Sequence, residues 1–186
     1  MSFSQNMLFK IILISIYSVF TIIRMNYRRM ASKNTNNIKQ RINSTDQIIL
    51  LVLIIYEILT FMLYLFTDLL NWGDYQIITW LSWIGVSLGF ISVALFLWIH
   101  ISLGSFFSHK IQIMENQPLI VIGPYKYVRH PMYVAFLLLH ISVFLISSNW
   151  FIGTTWLLAL TIFLLNRLRK EENLLLHEFG EEYTRY

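Results

Sequence analysis

Two polar islands carry the residue types that do chemistry in this chain. The first, residues 123–133, reads GPYKYVRHPMY and supplies Tyr125, Arg129, His130 and Tyr133. The second, residues 167–183, supplies Arg167, Glu171, Glu172 and a Phe179-Gly-Glu-Glu-Tyr183 run. A guanidinium orients a carboxylate through parallel hydrogen bonds, a carboxylate pairs with an ammonium, an aromatic face receives a cation, and an imidazole moves a proton near neutral pH. Each fragment has a plainer reading as well. Arg167 and Glu171 are four apart and share a helix face, where an ion pair is the ordinary structural outcome. Pro131 suits the first turn of a helix, and Gly123-Pro124 breaks whatever precedes it. The two islands, however, flank a hydrophobic hairpin. Runs 132–146 and 150–165 are separated only by Ser147, Ser148 and Asn149, so they form an antiparallel helical pair. Arg129, His130, Arg167 and Glu171 then arrive at similar depth on one membrane face, and that convergence describes a reaction site.

The rest of the chain must hold this hairpin in a bilayer. Of 186 residues, 56% are hydrophobic and 13% charged, and the mean hydropathy is +0.59; a soluble domain carries about 25% charged residues. Further apolar runs occupy 8–23, 48–70 and 77–99, lengths that approach or exceed what crosses ~30 Å of hydrocarbon at ~1.5 Å per helical residue. The expected fold class is all-α: a single domain, polytopic in the membrane, with about five transmembrane helices and a C-terminal hairpin followed by a cytoplasmic helix. Residues 24–47 read as a polar loop with room for a short surface helix, 71–76 as an acidic turn and 100–131 as a polar connection. The first run contains Lys10, which can snorkel, and no small-residue cleavage site follows it, so a retained anchor is expected.

Charge orients the spans. Residues 24–47, 100–131 and 167–186 together hold 13 of the 14 basic residues, and the opposite turns hold Asp68 and Asp74 and nothing basic. The positive-inside rule puts those three segments in the cytoplasm and the N-terminus outside. Arg24, Arg28, Arg29, Lys33, Lys39 and Arg41 read as topology signals that touch anionic headgroups of membrane lipids. No recognition module accompanies the charge, so nucleic acid is not an expected partner. Cysteine is absent, which excludes disulfides, a thiolate nucleophile and zinc sites of the cysteine type; no metal is expected. Glu57 and His140 are ionisable groups within spans. One reading is a neutral Glu57 hydrogen-bonded to a neighbouring helix. The other has the two face each other along a route for a lipidic substrate.

The order Gly123-x-Tyr125, four residues, His130-Pro131-x-Tyr133, a hydrophobic hairpin, Arg167-x-x-x-Glu171-Glu172 and Phe179-Gly-Glu-Glu-Tyr183 resembles the isoprenylcysteine carboxyl methyltransferase family and its relatives, the membrane phospholipid methyltransferases. The resemblance covers residues 104–183, and 104–186 is the expected cofactor-binding and catalytic region. It implies an enzyme that binds S-adenosylmethionine without a Rossmann-like domain. No GxGxxG follows an expected strand here, so loops and helix ends must hold the cofactor. Carried over residue by residue, the resemblance assigns Tyr125, His130, Pro131, Met132 and Tyr133 to the cofactor pocket, Gln117, Pro118, Leu119 and Ile120 to its upstream wall, and Glu171 to the cofactor's amino-acid portion. Gln112 is a further pocket residue. Arg167 and Arg129 are assigned to catalysis, with Arg167 at the substrate.

The acceptor stays open at this stage. A prenylated cysteine or similar lipidic carboxylate is ionised near pH 7 and needs no general base. A phospholipid or other amphiphilic amine would need one, from His130 or Glu172. A non-catalytic scaffold or lipid-binding module that retains the pocket is the alternative from another class. Oligomeric state is not legible in the sequence.

Overall fold

The computed structural model describes residues 3–33, 38–41, 46–108, 111–114 and 117–186. Helix α1 runs from Phe3 to Lys33, ten residues beyond the apolar run, because no proline or glycine interrupts the chain after Ile23 and charge alone does not stop a helix. Its inward stripe is Phe9, Leu13, Ile16 and Phe20, the spacing of one helical face. Helix α2 spans Asp46–Phe66 and α3 spans Thr79–Leu103. Helix α4 starts at Pro131 and ends at Ser147. Helix α5 runs unbroken from Trp150 to Phe179, so the helix expected after the hairpin is the continuation of its second arm. Gly180, at φ 52°, then turns the chain into a short α6, Glu181–Arg185.

Four of these helices are long and apolar enough to cross a membrane, and α4, shorter and equally apolar, makes the fifth. Their outward faces expose Ile48, Ile55, Leu59, Phe90, Ile91, Leu158 and Ile162. A face of that composition is stable only against lipid tails. The fold is thus all-α and polytopic.

Helix α4 is the central member and packs on α1, α3 and α5. Against α3 the backbones come close because small residues line the seam: Ser82, Gly85, Gly89 and Ser92 are buried on one face. A Cβ at Gly85 would sit 2.7 Å from the Leu145 Cβ, and Ser92 Oγ donates to the Ala135 carbonyl at 2.7 Å. Small residues at such spacing let membrane helices approach. Helix α2 is tied to α5 by Trp156 Nε1 donating to Thr60 Oγ1 (2.9 Å) and by Tyr56 OH donating to Thr155 Oγ1 (2.7 Å).

The turns sort to two ends. At one, Ser148 adopts the left-handed conformation, and Asn149 caps α5 by accepting from the Ile152 N–H at 3.1 Å. The Asn149 amide also donates to the Leu70 carbonyl and to Asp74 Oδ1, both at 2.7 Å, which joins the 71–76 turn to the hairpin. Lys10 belongs to this end, where its Nζ donates to the Tyr64 carbonyl. Asn149 is fully buried, so Asn149→Ala loses a helix cap and strands two acceptors. We expect a loss of roughly 2–3 kcal/mol, read as a lower unfolding midpoint in detergent.

At the other end, strand β1 (Ile38–Arg41) pairs antiparallel with strand β2 (Gln112–Met114), Arg41 opposite Gln112. This ladder was not expected; the surface helix expected within 24–47 falls in part on residues 34–37 and 42–45, which lie outside the described residues. Ile111 and Ile113 are buried against Leu174 of α5, and Lys170 Nζ meets Asp46 Oδ1 at 2.5 Å. The connection after α3, the start of α2 and the far half of α5 are therefore fastened together at the end where both polar islands lie.

Candidate active site

The geometry follows from the two helix ends. Residues 123–126 form a single 3₁₀ turn, with Gly123 at φ 61°, where a Cβ would also collide with Ser102 of α3. Glycine thus seats the first island against α3. His130 precedes α4, and Pro131 is its first residue, a place where the missing N–H leaves nothing unsatisfied. One turn of α4 then carries Tyr133 across to α5.

Two adjacent carboxylates of α5 serve different partners because successive residues point about 100° apart around a helix. Glu171 Oε1 accepts from Arg167 Nε at 2.7 Å, and Glu171 Oε2 accepts from Tyr133 OH at 2.6 Å. Glu172 Oε1 accepts from Tyr183 OH at 2.6 Å and lies 2.5 Å from His130 Nε2. Arg129 stands 3.9 Å from Glu172 Oε2 and 5.1 Å above the Tyr183 ring. The His130 and Tyr133 rings stack with centroids 5.4 Å apart. Tyr186 OH donates to the Tyr125 carbonyl, which closes the tail over the first island. Burial, reinforced by the Glu171 carboxylate, pushes the Tyr125 phenol above its ordinary range, so it remains a neutral donor.

These groups face a cavity of about 510 Å³. Its polar end includes Gln112, Gln117, Tyr125, Arg129, His130, Tyr133, Arg167 and Glu171, with Pro118, Leu119, Ile120 and Met132 beside them. All the residues assigned to the cofactor pocket or to catalysis are thus brought to one cavity except Pro131, which is buried at the start of α4. Glu172 also lies off the cavity and is linked to it through His130, Tyr183 and Arg129, which line it. The cavity continues between helices, with walls of Leu50 and Leu53 from α2, Phe136 from α4, and Trp156, Leu160 and Phe163 from α5.

Two features were missed in the sequence. The Glu172 network joins His130, Arg129 and Tyr183 from three elements, and only the coincidence of His-Pro with a double glutamate hinted at it. The α1 wall, Tyr17, Thr21, Arg24 and Arg28, follows the spacing of one helical face, which the loop reading of residues after 23 obscured.

Glu57 and His140 do face each other, with His140 Nε2 3.1 Å from Glu57 Oε1, and both line the cavity. His140 Nδ1 lies 2.9 Å from the Phe136 carbonyl. His140→Leu leaves a carboxyl group without its partner, and we expect it to destabilise the protein by roughly 3 kcal/mol, whereas Glu57→Gln keeps a hydrogen-bonding partner and costs less. Thermal unfolding of both variants in detergent checks the ranking; equal stability of His140→Leu and wild type contradicts it.

Comparison with known proteins bears on this site directly. The family model described as Isoprenylcysteine carboxyl methyltransferase (ICMT) family matches residues 84–177, a stretch that runs from within α3 through the first polar island and the hairpin to Arg167, Glu171 and Glu172 of the second. Proteins named protein-S-isoprenylcysteine O-methyltransferase are similar to it. The one from Homo sapiens is 32% identical over 117 residues, 62% of this chain and 41% of that protein. The one from Schizosaccharomyces pombe is 33% identical over 85 residues, 45% and 36% of the two chains, and that from Tribolium castaneum is 31% identical over 111 residues, 59% and 40%. The chain thus spans about two fifths of the length of the curated relatives it matches. With a match over half of its length that takes in the first island, the hairpin and the Arg167-to-Glu172 part of the second island, the chain belongs to the isoprenylcysteine carboxyl methyltransferase family.

Proposed function

We propose that this chain is an S-adenosylmethionine-dependent integral membrane methyltransferase that methylates the carboxylate of a prenylated cysteine or a similar lipidic carboxylate. The observation that carries the reading is the continuity of one cavity from the Arg167, Glu171, Tyr133 and His130 cluster to an apolar region between membrane helices. An amphiphile with a charged end and a hydrocarbon chain suits both parts at once.

The residues fit the cofactor. A volume of about 510 Å³ lies within the ~300–1,000 Å³ typical of small-molecule sites. Glu171 accepts one bond on each oxygen, which leaves lone pairs for an ammonium, since a carboxylate offers about four acceptor sites. The faces of Tyr125 and Tyr133 suit a sulfonium or an adenine, and first-turn N–H groups of α4 suit a carboxylate. Gln112 and Gln117 supply polar groups, with Pro118, Leu119, Ile120 and Met132 as apolar walls. Pro131 acts from outside the cavity by fixing the start of α4. Bound there, S-adenosylmethionine supplies an activated methyl group: a carboxylate oxygen forms a C–O bond as the C–S bond breaks, and the electron pair stays on sulfur.

What the chain contributes is position and dryness. Arg167 orients the acceptor, and Tyr133 and Arg167 hold Glu171. Arg129, held by Glu172 and the Tyr183 face, closes the polar end. The charge of the cavity favours an anionic acceptor over an amine: its walls include four arginines (Arg24, Arg28, Arg129, Arg167) and two glutamates (Glu57, Glu171). We place the polar end in the cytoplasm and the N-terminus outside, on the strength of the basic residues gathered at that end, and we assign the cofactor-contacting residues to 104–186 within a single membrane domain. Calorimetry with S-adenosylmethionine and its demethylated product on detergent-purified protein tests the class. Binding of both is expected, and a folded protein that binds neither is a scaffold instead.

A further inference from the structure

The cavity contains an arginine that neither polar island uses. Arg24 lies on the α1 face that also carries Tyr17, Thr21 and Arg28, and all four line the cavity. Its guanidinium sits 5.2 Å above the Phe136 ring of α4. Phe136 is about one turn of α4 from Tyr133, whose hydroxyl donates to Glu171. Arg24 is therefore a half-buried part of the cavity wall, close to the polar cluster.

A guanidinium carries five N–H donors in a planar fork. Among the described residues, Arg24 makes no hydrogen bond or ion pair. The charges within its electrostatic reach are Glu57, Arg28 and Arg167. Glu57 is engaged with His140, and Arg167 Nε with Glu171. The Phe136 ring attracts the cation but accepts none of its hydrogen bonds. A cation near the end of a membrane helix normally snorkels to the headgroups, whereas this one is laid over an aromatic ring inside a cavity. Leaving such a charge unpaired in apolar surroundings is expensive, and a counter-ion that enters the cavity removes the penalty.

We propose that Arg24 anchors an anion subsite in the cavity, and that this subsite takes the carboxylate of the lipidic acceptor while its hydrocarbon chain lies along α2, α4 and α5. The identity of the acceptor rests on the methyltransferase reading; the anion subsite does not. Residue 24 lies outside the stretch matched by the family, residues 84–177, so this contact belongs to the chain's own first helix. The pairing is strongest before reaction, because methylation consumes the carboxylate's charge. An interaction of that kind favours the ground state and appears in KM rather than kcat.

The test uses the full chain in detergent and an S-farnesylated N-acetylcysteine beside its carboxamide. Wild type should bind the acid at least ~10-fold more tightly than the amide, the worth of a charge-assisted pair. Arg24→Gln should cut that preference several-fold by weakening the acid alone, leaving the share that Arg167 supplies, and Arg24→Lys should keep more of it, since a point charge replaces the fork. In turnover, Arg24→Gln should raise the acceptor KM with kcat unchanged or higher. An acid preference absent in wild type, one untouched by Arg24→Gln, or an equal weakening of acid and amide overturns the subsite. If the preference depends on Arg24 while S-adenosylmethionine neither binds nor reacts, the anion subsite stands and the methyltransferase reading falls.

Discussion

We expect Glu171→Ala to abolish cofactor binding at concentrations that saturate wild type. The carboxylate is mostly buried, is held on one side by Arg167 Nε at 2.7 Å and on the other by Tyr133 OH at 2.6 Å, and is the acid that faces the cavity beside Tyr125 and His130. An ammonium placed there would be desolvated, so removing its partner leaves a buried charge uncompensated. Losing one member of such a pair costs about 2 kcal/mol or more, at least roughly 30-fold in affinity. The substitution also frees the Arg167 guanidinium to repel a cation. Glu171→Gln separates these effects, because it keeps a hydrogen-bonding group at the same place while removing the charge. Calorimetry on the three proteins should rank wild type first, glutamine second and alanine last; unchanged affinity in the alanine variant would remove Glu171 from the pocket.

Arg167→Ala is the second large effect, and it should fall on turnover rather than on the cofactor. Tyr133 still holds Glu171 in that variant, so the carboxylate keeps one of its two fixed partners and cofactor affinity should stay within a few-fold of wild type. The acceptor, however, loses the planar donor group that orients it. A misplacement of about 1 Å at a reacting centre can cost roughly 100-fold in rate, and we expect kcat for carboxyl methylation to drop by about that factor or more. Arg167→Lys should rescue little, because an ammonium does not reproduce the fork. The contrast with Arg24 is diagnostic: one arginine is expected to appear in kcat and the other in KM. Intact turnover in Arg167→Ala would sink its assignment.

Much of this architecture was legible in the sequence because bilayer physics leaves few choices. The apolar runs gave five spans, the Ser147–Asn149 gap dictated a hairpin, and a hairpin with polar residues at both open ends brings Arg167 and Glu171 to His130 and Tyr133. The i, i+4 relation of Arg167 and Glu171 was local and therefore readable. Long-range pairings were not. The ladder between residues 38–41 and 112–114 joins short segments some seventy residues apart, and neither segment is apolar or long enough to announce a strand. Lys170 meeting Asp46 depends on how α2 lies along α5. Arg24 was read as a topology signal because a charge after an apolar run looks like the end of a span. In the structure the helix continues to Lys33, and the side chain turns inward over Phe136. Which face of a membrane helix points at a cavity is set by its neighbours, and that is tertiary information.

The most direct test of the central claim is transfer of a labelled methyl group from S-adenosylmethionine by the purified wild-type protein to three acceptors in turn: a prenylated cysteine acid, its carboxamide and a phospholipid amine. The account predicts label on the acid alone, in an alkali-labile form that releases methanol, as a methyl ester must. Alkali-stable label on the amine, or no transfer to the acid by protein that binds the cofactor, would contradict it.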